Sequence, residues 1–220
     1  HYYVQVRPVG NGDHWFWNEV VLGLGANPTW SESPATYTVT VLDANISGTA
    51  TLRTSVLGAV GAPDDASPHA EQVYVNGALA IDDAWDTNPP HVGAGSFSQA
   101  ALVSGTNTIS YSLLFTAGIP YDGVFFNWIE LDYQHLYRAR NDYLAFGADI
   151  TGPVQITVTN FATSTLGVYD VTSPTNTVRL SNTVVTSVGN AYALSVGDQI
   201  SNSARYVAAA AGLSPADLSA

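Results

Sequence analysis

Apolar and polar residues alternate one by one along most of the chain. Tyr37, Val39 and Val41 interleave with Thr36, Thr38 and Thr40, which predicts a strand with one buried and one Thr-lined face. Ala50 to Leu57 continues this period through Leu52, Thr54 and Val56, and Ile109, Tyr111, Leu113 and Phe115 repeat it. Gln72 to Val75 runs into Asn76-Gly77, a pair that tolerates positive φ at both central positions of a tight hairpin, so Ala78 to Ile81 is the expected return strand. Ser104 to Asn107 predicts the turn before Ile109. Phe125 to Tyr133 sets Ile129, Leu131 and Tyr133 on one face and Trp128, Glu130 and Asp132 on the other.

Gly, Pro and Asp punctuate these runs. Gly58 to Ser67 and Asp82 to Gly95 read as long surface loops. Helical pattern is confined to two candidates, the aromatic stretch His14 to Leu22 and the Ala-rich stretch Ser203 to Gly212. Many short strands with little helix predict an all-β protein: an antiparallel jelly roll or β-sandwich over residues 1–140, then a smaller, Ig-like β-sandwich unit over residues 141–205. The change falls near residues 142–152, at Gly147 and Gly152-Pro153. Beyond it lie the expected strands Val154 to Val158, Leu166 to Val171, Thr177 to Leu180 and Ala191 to Val196. Residues 206–220, Ala-rich and then Ser214-Pro215, read as a linker to a following domain.

Composition narrows the function. Of 220 residues 46% are hydrophobic and 11% charged, far below the usual ~25% charged, which excludes a charged disordered tail and a coiled coil. Six basic residues, all Arg, face 18 acidic ones for a net charge of −12, so no nucleic-acid groove or anionic-membrane surface is expected. No apolar run reaches the ~18 residues that span a bilayer. Cys is absent, which removes disulfides, thiol catalysis and thiolate metal sites together. The chain opens on His1 without a charged-then-apolar leader, which reads as a mature chain or a piece of a longer one. A Lys-free, Asp-, Thr-, Ser- and Gly-rich composition suits an extracellular bacterial module, secreted or held at the cell surface.

Candidate chemistry gathers in the second loop. Trp85 sits there among Asp82, Asp83 and Asp86, an arrangement in which an indole stacks on the C–H face of a sugar ring and carboxylates fix its hydroxyls. The ligand would be a neutral glycan, since −12 repels an acidic one. The same carboxylates, with Asp64-Asp65, offer oxygens for a structural Ca²⁺, although no EF-hand pattern is present. Otherwise no cofactor is implied and no metal ligand is assigned: His1, His14, His69, His91 and His135 show no H-E-x-x-H or H-x-H spacing. Alternation puts two of Trp15, Phe16 and Trp17 on one side, which fits core packing, with His14 as a hydrogen-bonded packing residue beside Trp15. There is no G-x-S-x-G and no phosphate loop. No catalytic residue is expected.

Several segments in order carry a family resemblance. They are Asp13-His14-Trp15-Phe16-Trp17, the hairpin Val73-Tyr74-Val75-Asn76-Gly77, the turn Leu102 to Ile109, the strand Trp128 to Tyr133 with Arg138 after it, and Val168-Tyr169-Asp170-Val171-Thr172-Ser173-Pro174. The turn and the strand resemble those of galactose-binding-like jelly rolls. As a set, the segments resemble the β-rich region that precedes the catalytic domain in gingipain-type cysteine peptidases, and Arg205-Tyr206-Val207 with Leu213-Ser214-Pro215 resembles the lead-in to that domain. That family catalyses with a Cys and a His of the following domain, so no catalytic residue is carried over to this Cys-free chain. The resemblance implies a non-catalytic accessory or structural region of a secreted or surface peptidase, with the following peptidase domain as partner. The alternative role is a carbohydrate-binding targeting module.

Overall fold

The computed structural model describes residues 2–3, 15–23, 31–59, 68–86, 90–116, 121–173 and 175–211. The chain divides into two units, His1–His135 and Leu136–Ala220. The first holds β1 (Tyr2–Tyr3), β2 (Trp15–Phe16), β3 (Asn18–Leu22), β4 (Ser31–Glu32), β5 (Ala35–Val41), β6 (Thr49–Gly58), β7 (His69–Val75), β8 (Ala78–Trp85), β9 (His91–Ser98), β10 (Gly105–Leu113) and β11 (Asp122–Asp132), with a 3₁₀ turn at Gln99–Ala101. One sheet runs β5-β10-β7-β8 and the other β4-β3-β11-β6-β9. All their pairings are antiparallel except β3 with β4.

The core lies between these two sheets. Val41, Val73, Val75, Ile81, Ile109, Tyr111 and Leu113 come from one, and Val20, Leu52, Val56, Phe97, Val124 and Phe126 from the other. Each belongs to an alternating strand, so a single apolar face per strand suffices to fill the space between two sheets. The fold is the all-β antiparallel sandwich that the period of two predicts.

Local chemistry explains the register. Asn76 and Gly77 take φ of +49° and +86° and close the β7–β8 hairpin. The Asn76 amide donates to Ala101 O at 2.8 Å and to Asn107 Oδ1 at 2.7 Å, while Asn107, fully buried, donates to the carbonyls of Val103 and Gly105. The two turns read from the sequence are thus tied to each other. In β11 the register shifts between Phe126 and Trp128. The irregularity keeps Val124 and Phe126 in the core before it, and Ile129 and Leu131 packed against the core after it. Glu130 and Asp132 stay on the outer face, where both accept from Arg53 at 2.5 Å. All three groups are exposed, so solvent and salt screen this network and it adds little to stability.

Three local expectations are overturned: a helix over the aromatic stretch, core packing of Trp17 and a loop over Asp82–Gly95. Residues 15–22 form β2 and β3 rather than a helix, because β-branched Val20 and Val21 pair with β11 and both are buried. His14 lies outside the described residues, as does the side chain of Trp15. Phe16 packs away from the main core, with Leu57 and Phe125, its ring 5.5 Å from that of Phe125. Trp17 is 41% exposed, although its ring still meets Tyr37 and Phe126. Asp82–Gly95 is not a loop: β8 continues to Trp85 and β9 starts at His91. The other expected loop falls largely on residues 60–67, outside the described residues.

The second unit holds β12 (Tyr143–Ala148), β13 (Gly152–Phe161), β14 (Leu166–Asp170), β15 (Val178–Arg179), β16 (Thr183–Val188), β17 (Ala191–Ile200) and β18 (Ala204–Ala210). Its sheets run β12-β18-β14-β15 and β13-β17-β16. Phe146, Val168, Tyr206 and Ala208 from one pack with Ile156, Val158, Phe161, Leu194 and Val196 from the other. The helix expected over Ser203 to Gly212, and the linker expected from residue 206, give way to β18. It pairs with β12 on one side and β14 on the other, and Tyr206, Val207, Ala208 and Ala209 are all buried. A strand buried on both faces reads as a continuous apolar run, and periodicity alone cannot separate such a run from a helix. Residues 212–220 lie outside the described ones.

Candidate functional site

Polar groups interrupt the core of the first unit at one end. In β7 the inward positions are His69, Glu71, Val73 and Val75. Across the hairpin the register sets His69 opposite Trp85, Glu71 opposite Asp83 and Val73 opposite Ile81. Residues paired in this way share a face, so Asp83 and Trp85 turn inward beside Glu71 and His69. From the other sheet β9 and β6 present His91, Gly93 and Thr54, with His91 opposite Val56 and Gly93 opposite Thr54.

Glu71, Asp83 and His91 converge there, each with a ligating atom within 4.8 Å of the others. His91 Nε2 and Asp83 Oδ2 share a hydrogen bond of 2.9 Å. Glu71 is fully buried. Its Oε1 accepts from Thr54 Oγ1 at 3.2 Å, while its Oε2 has no hydrogen-bond partner. The glycine at position 93 makes room for this carboxyl: a Cβ there would stand 2.1 Å from Glu71 Oε1. The Tyr111 hydroxyl lies close enough to act on the same carboxyl, yet without aligned hydrogen-bond geometry. Burial pushes the Glu71 carboxyl above its ordinary range, and the neighbouring Tyr111, Thr54 and His91 only partly offset that.

A stack of rings holds the cluster. Trp85 lies between His69, at 5.0 Å between centroids, and His91, at 4.2 Å and 5° from parallel. On the far side His69 Nδ1 meets Asp122 Oδ1 at 2.7 Å, both groups buried, and Asp122 Oδ1 also accepts from the Gly123 amide at 2.6 Å. Asp122 Oδ2 and Trp85 Nε1 are buried without partners.

The residues named from the sequence therefore separate. Asp83 belongs to the cluster. Trp85 supports it, its ring stacked on both His69 and His91; at 8% exposed it is buried, so its expected role as an exposed stacking platform for a sugar is corrected. Asp82 and Asp86 are exposed and stay outside the cluster. Asp64 and Asp65 lie outside the described residues. Sequence reasoning missed Glu71, His91, His69, Asp122 and Tyr111 as site residues. A signal was available for two of them: the period of two that joins Val75 and Val73 continues to Glu71 and His69 and puts both on the apolar face of β7, where an ionisable group is anomalous.

The arrangement suits holding a cation better than turning over a substrate. Two carboxylates and an imidazole are divalent-metal ligands, but Glu71 has no surface that a substrate could reach. In the second unit Tyr206 pairs with Asp198, whose Oδ2 accepts from the phenol at 2.6 Å. Replacing the buried carboxyl by its neutral isostere, Glu71→Gln, is expected to stabilise chelator-treated protein. Removing the desolvation cost gives about 1–3 kcal/mol, or roughly 2–12 °C in Tm. A calorimetric scan showing a lower Tm would refute it.

No family model matches the chain, and no curated protein does. Among solved structures, dimeric latent PorU from Porphyromonas gingivalis is similar in fold, with a TM-score of 0.50 at 13% sequence identity. The match covers 79% of this chain and 17% of the PorU chain, so the chain spans about a sixth of the length of the protein that it resembles. It is a β-rich fold of the kind found in PorU.

Proposed function

We propose that the chain is a non-catalytic accessory region of a secreted or surface gingipain-type cysteine peptidase, packing on and positioning a catalytic domain that follows it. The observation that carries this reading is the fold match, which takes in most of this chain and a minor part of a much longer one. The motif order from Asp13 to Pro174 supports it, as does the complete lack of Cys, since a Cys-free chain cannot supply a thiol nucleophile. Among the described residues, the Glu71, Asp83 and His91 cluster has its innermost carboxyl fully buried in the sandwich core, beyond the reach of a substrate. A secreted or surface location fits the Lys-free composition, and among the described residues no helix is long and apolar enough to cross a membrane.

Producing the complete gene product with and without these residues tests the reading. Deletion is expected to lower the yield of soluble, active peptidase at least tenfold, and the 220-residue chain alone is expected to cleave no peptide substrate. Equal yield and activity after deletion would overturn it. Micromolar binding of the isolated chain to a defined neutral glycan would replace positioning by targeting.

A further inference from the structure

We infer that Glu71, Asp83 and His91 form a binding site for one Zn²⁺ ion in the first unit. Their ligating atoms already lie within 4.8 Å of one another. Zinc–oxygen and zinc–nitrogen bonds of ~2.0–2.2 Å put tetrahedral ligand atoms ~3.4 Å apart, so side-chain adjustments on the order of 1 Å close the site. The 2.9 Å separation of His91 Nε2 and Asp83 Oδ2 is already short enough.

A separate observation points to a cation. Glu71 is completely buried and its Oε2 makes no aligned hydrogen bond, the hydroxyl of buried Tyr111 acting on the same carboxyl without the geometry of one. Buried polar atoms are satisfied in the great majority of cases. Glu71 thus brings a fully buried carboxyl, with one oxygen making no aligned hydrogen bond, to a second carboxylate and an imidazole, a donor set that suits a metal ion.

The surroundings are those of a supported site. Thr54 holds the other Glu71 oxygen, Gly93 leaves the carboxyl its space, and the Trp85 stack sets the plane of the His91 ring. The side chains of His91 and Asp83 are 22% and 35% exposed, which gives an ion a way in. The imidazole decides the metal: Ca²⁺ takes six to eight oxygens, whereas one nitrogen and two carboxylates suit Zn²⁺. Three protein donors leave a fourth tetrahedral position.

The test is calorimetric titration of the chelator-treated protein with ZnCl₂, repeated with Co²⁺ to read ligand-field absorption. One Zn²⁺ per chain is expected, with a micromolar or tighter Kd, a rise in Tm and a tetrahedral Co²⁺ spectrum. His91→Gln and Asp83→Asn are expected to weaken binding at least 30-fold. Asp82→Asn, one position away on the outer face of β8, is expected to leave it unchanged within twofold. Asp83 is partly exposed, so its isosteric variant carries the test should circular dichroism show that His91→Gln does not fold. Lack of saturable Zn²⁺ binding overturns the assignment. So does binding that survives in both variants, and so does a clear preference for Ca²⁺.

Discussion

Gly95→Ala is expected to lower the melting temperature of the first unit by roughly 6–12 °C, corresponding to ~3 kcal/mol at 2–4 °C per kcal/mol. A Cβ at this position would lie 1.9 Å from the carbonyl oxygen of Ala80, 3.0 Å from its carbon and 3.2 Å from Ile81 Cα. All three are backbone atoms, so no rotamer change relieves the clash. Either β9 moves off β8 or the sheet that carries it bends. Both responses disturb Leu52, which Gly95 faces across the β6–β9 ladder, and Ile81 in β8. Overpacking of a well-filled core costs ~1–3 kcal/mol, and the rigid contact puts this case at the upper end. Ala94, the exposed neighbour, provides the comparison: Ala94→Ser is expected to stay within ~0.5 kcal/mol of the parent. Thermal melts followed by circular dichroism separate the two, and a Gly95→Ala protein melting within 2 °C of the parent would show that β8 and β9 do not pack this closely.

Asp122→Ala is expected to cost on the order of 3–5 kcal/mol, the range found when one member of a buried, hydrogen-bonded pair is removed. Asp122 is 3% exposed and its carboxylate accepts from both His69 Nδ1 and the Gly123 amide. Truncation strips both donors of this acceptor at once, in a place with little access to water. It also leaves His69 without the group that holds its ring against Trp85. Asp122→Asn keeps one acceptor oxygen and is expected to lose less than half as much. Urea denaturation of the two variants checks the order. Equal stability of Asp122→Ala and the parent would mean that the pair contributes nothing.

Strand-rich architecture was legible because its signal is local. The alternation in Thr36 to Val41, and the Asn76-Gly77 turn, each need only neighbouring residues, and both take the predicted form. Local signals misled where the deciding interaction was distant. Ala208 to Ala211 has the propensity of a helix, but a strand position between β12 and β14 offers hydrogen bonds on both edges and burial of the small side chains. Asp82, Asp83 and the Pro pair at 89–90 have the composition of a loop. The inward–outward alternation from Ile81 to Trp85 shows instead that two of the polar positions are simply one outer and one inner residue of a strand.

The candidate site was half visible. Asp83 and Trp85 drew attention as acidic and aromatic residues close together, but for a role that needs them exposed. Glu71 and His91 lie twenty residues apart in sequence and on different sheets, and nothing in their spacing marks them as neighbours. By itself, then, the sequence determined the β class, the hairpin register and the shortage of basic charge and thiols, because period, turn chemistry and composition are properties of adjacent residues or of simple counts. Only the tertiary structure decided that a carboxylate from β7, one from β8 and an imidazole from β9 share one end of the core. Which ionisable group is buried, and beside what, depends on how two sheets face each other, and that is set by packing across the whole sandwich.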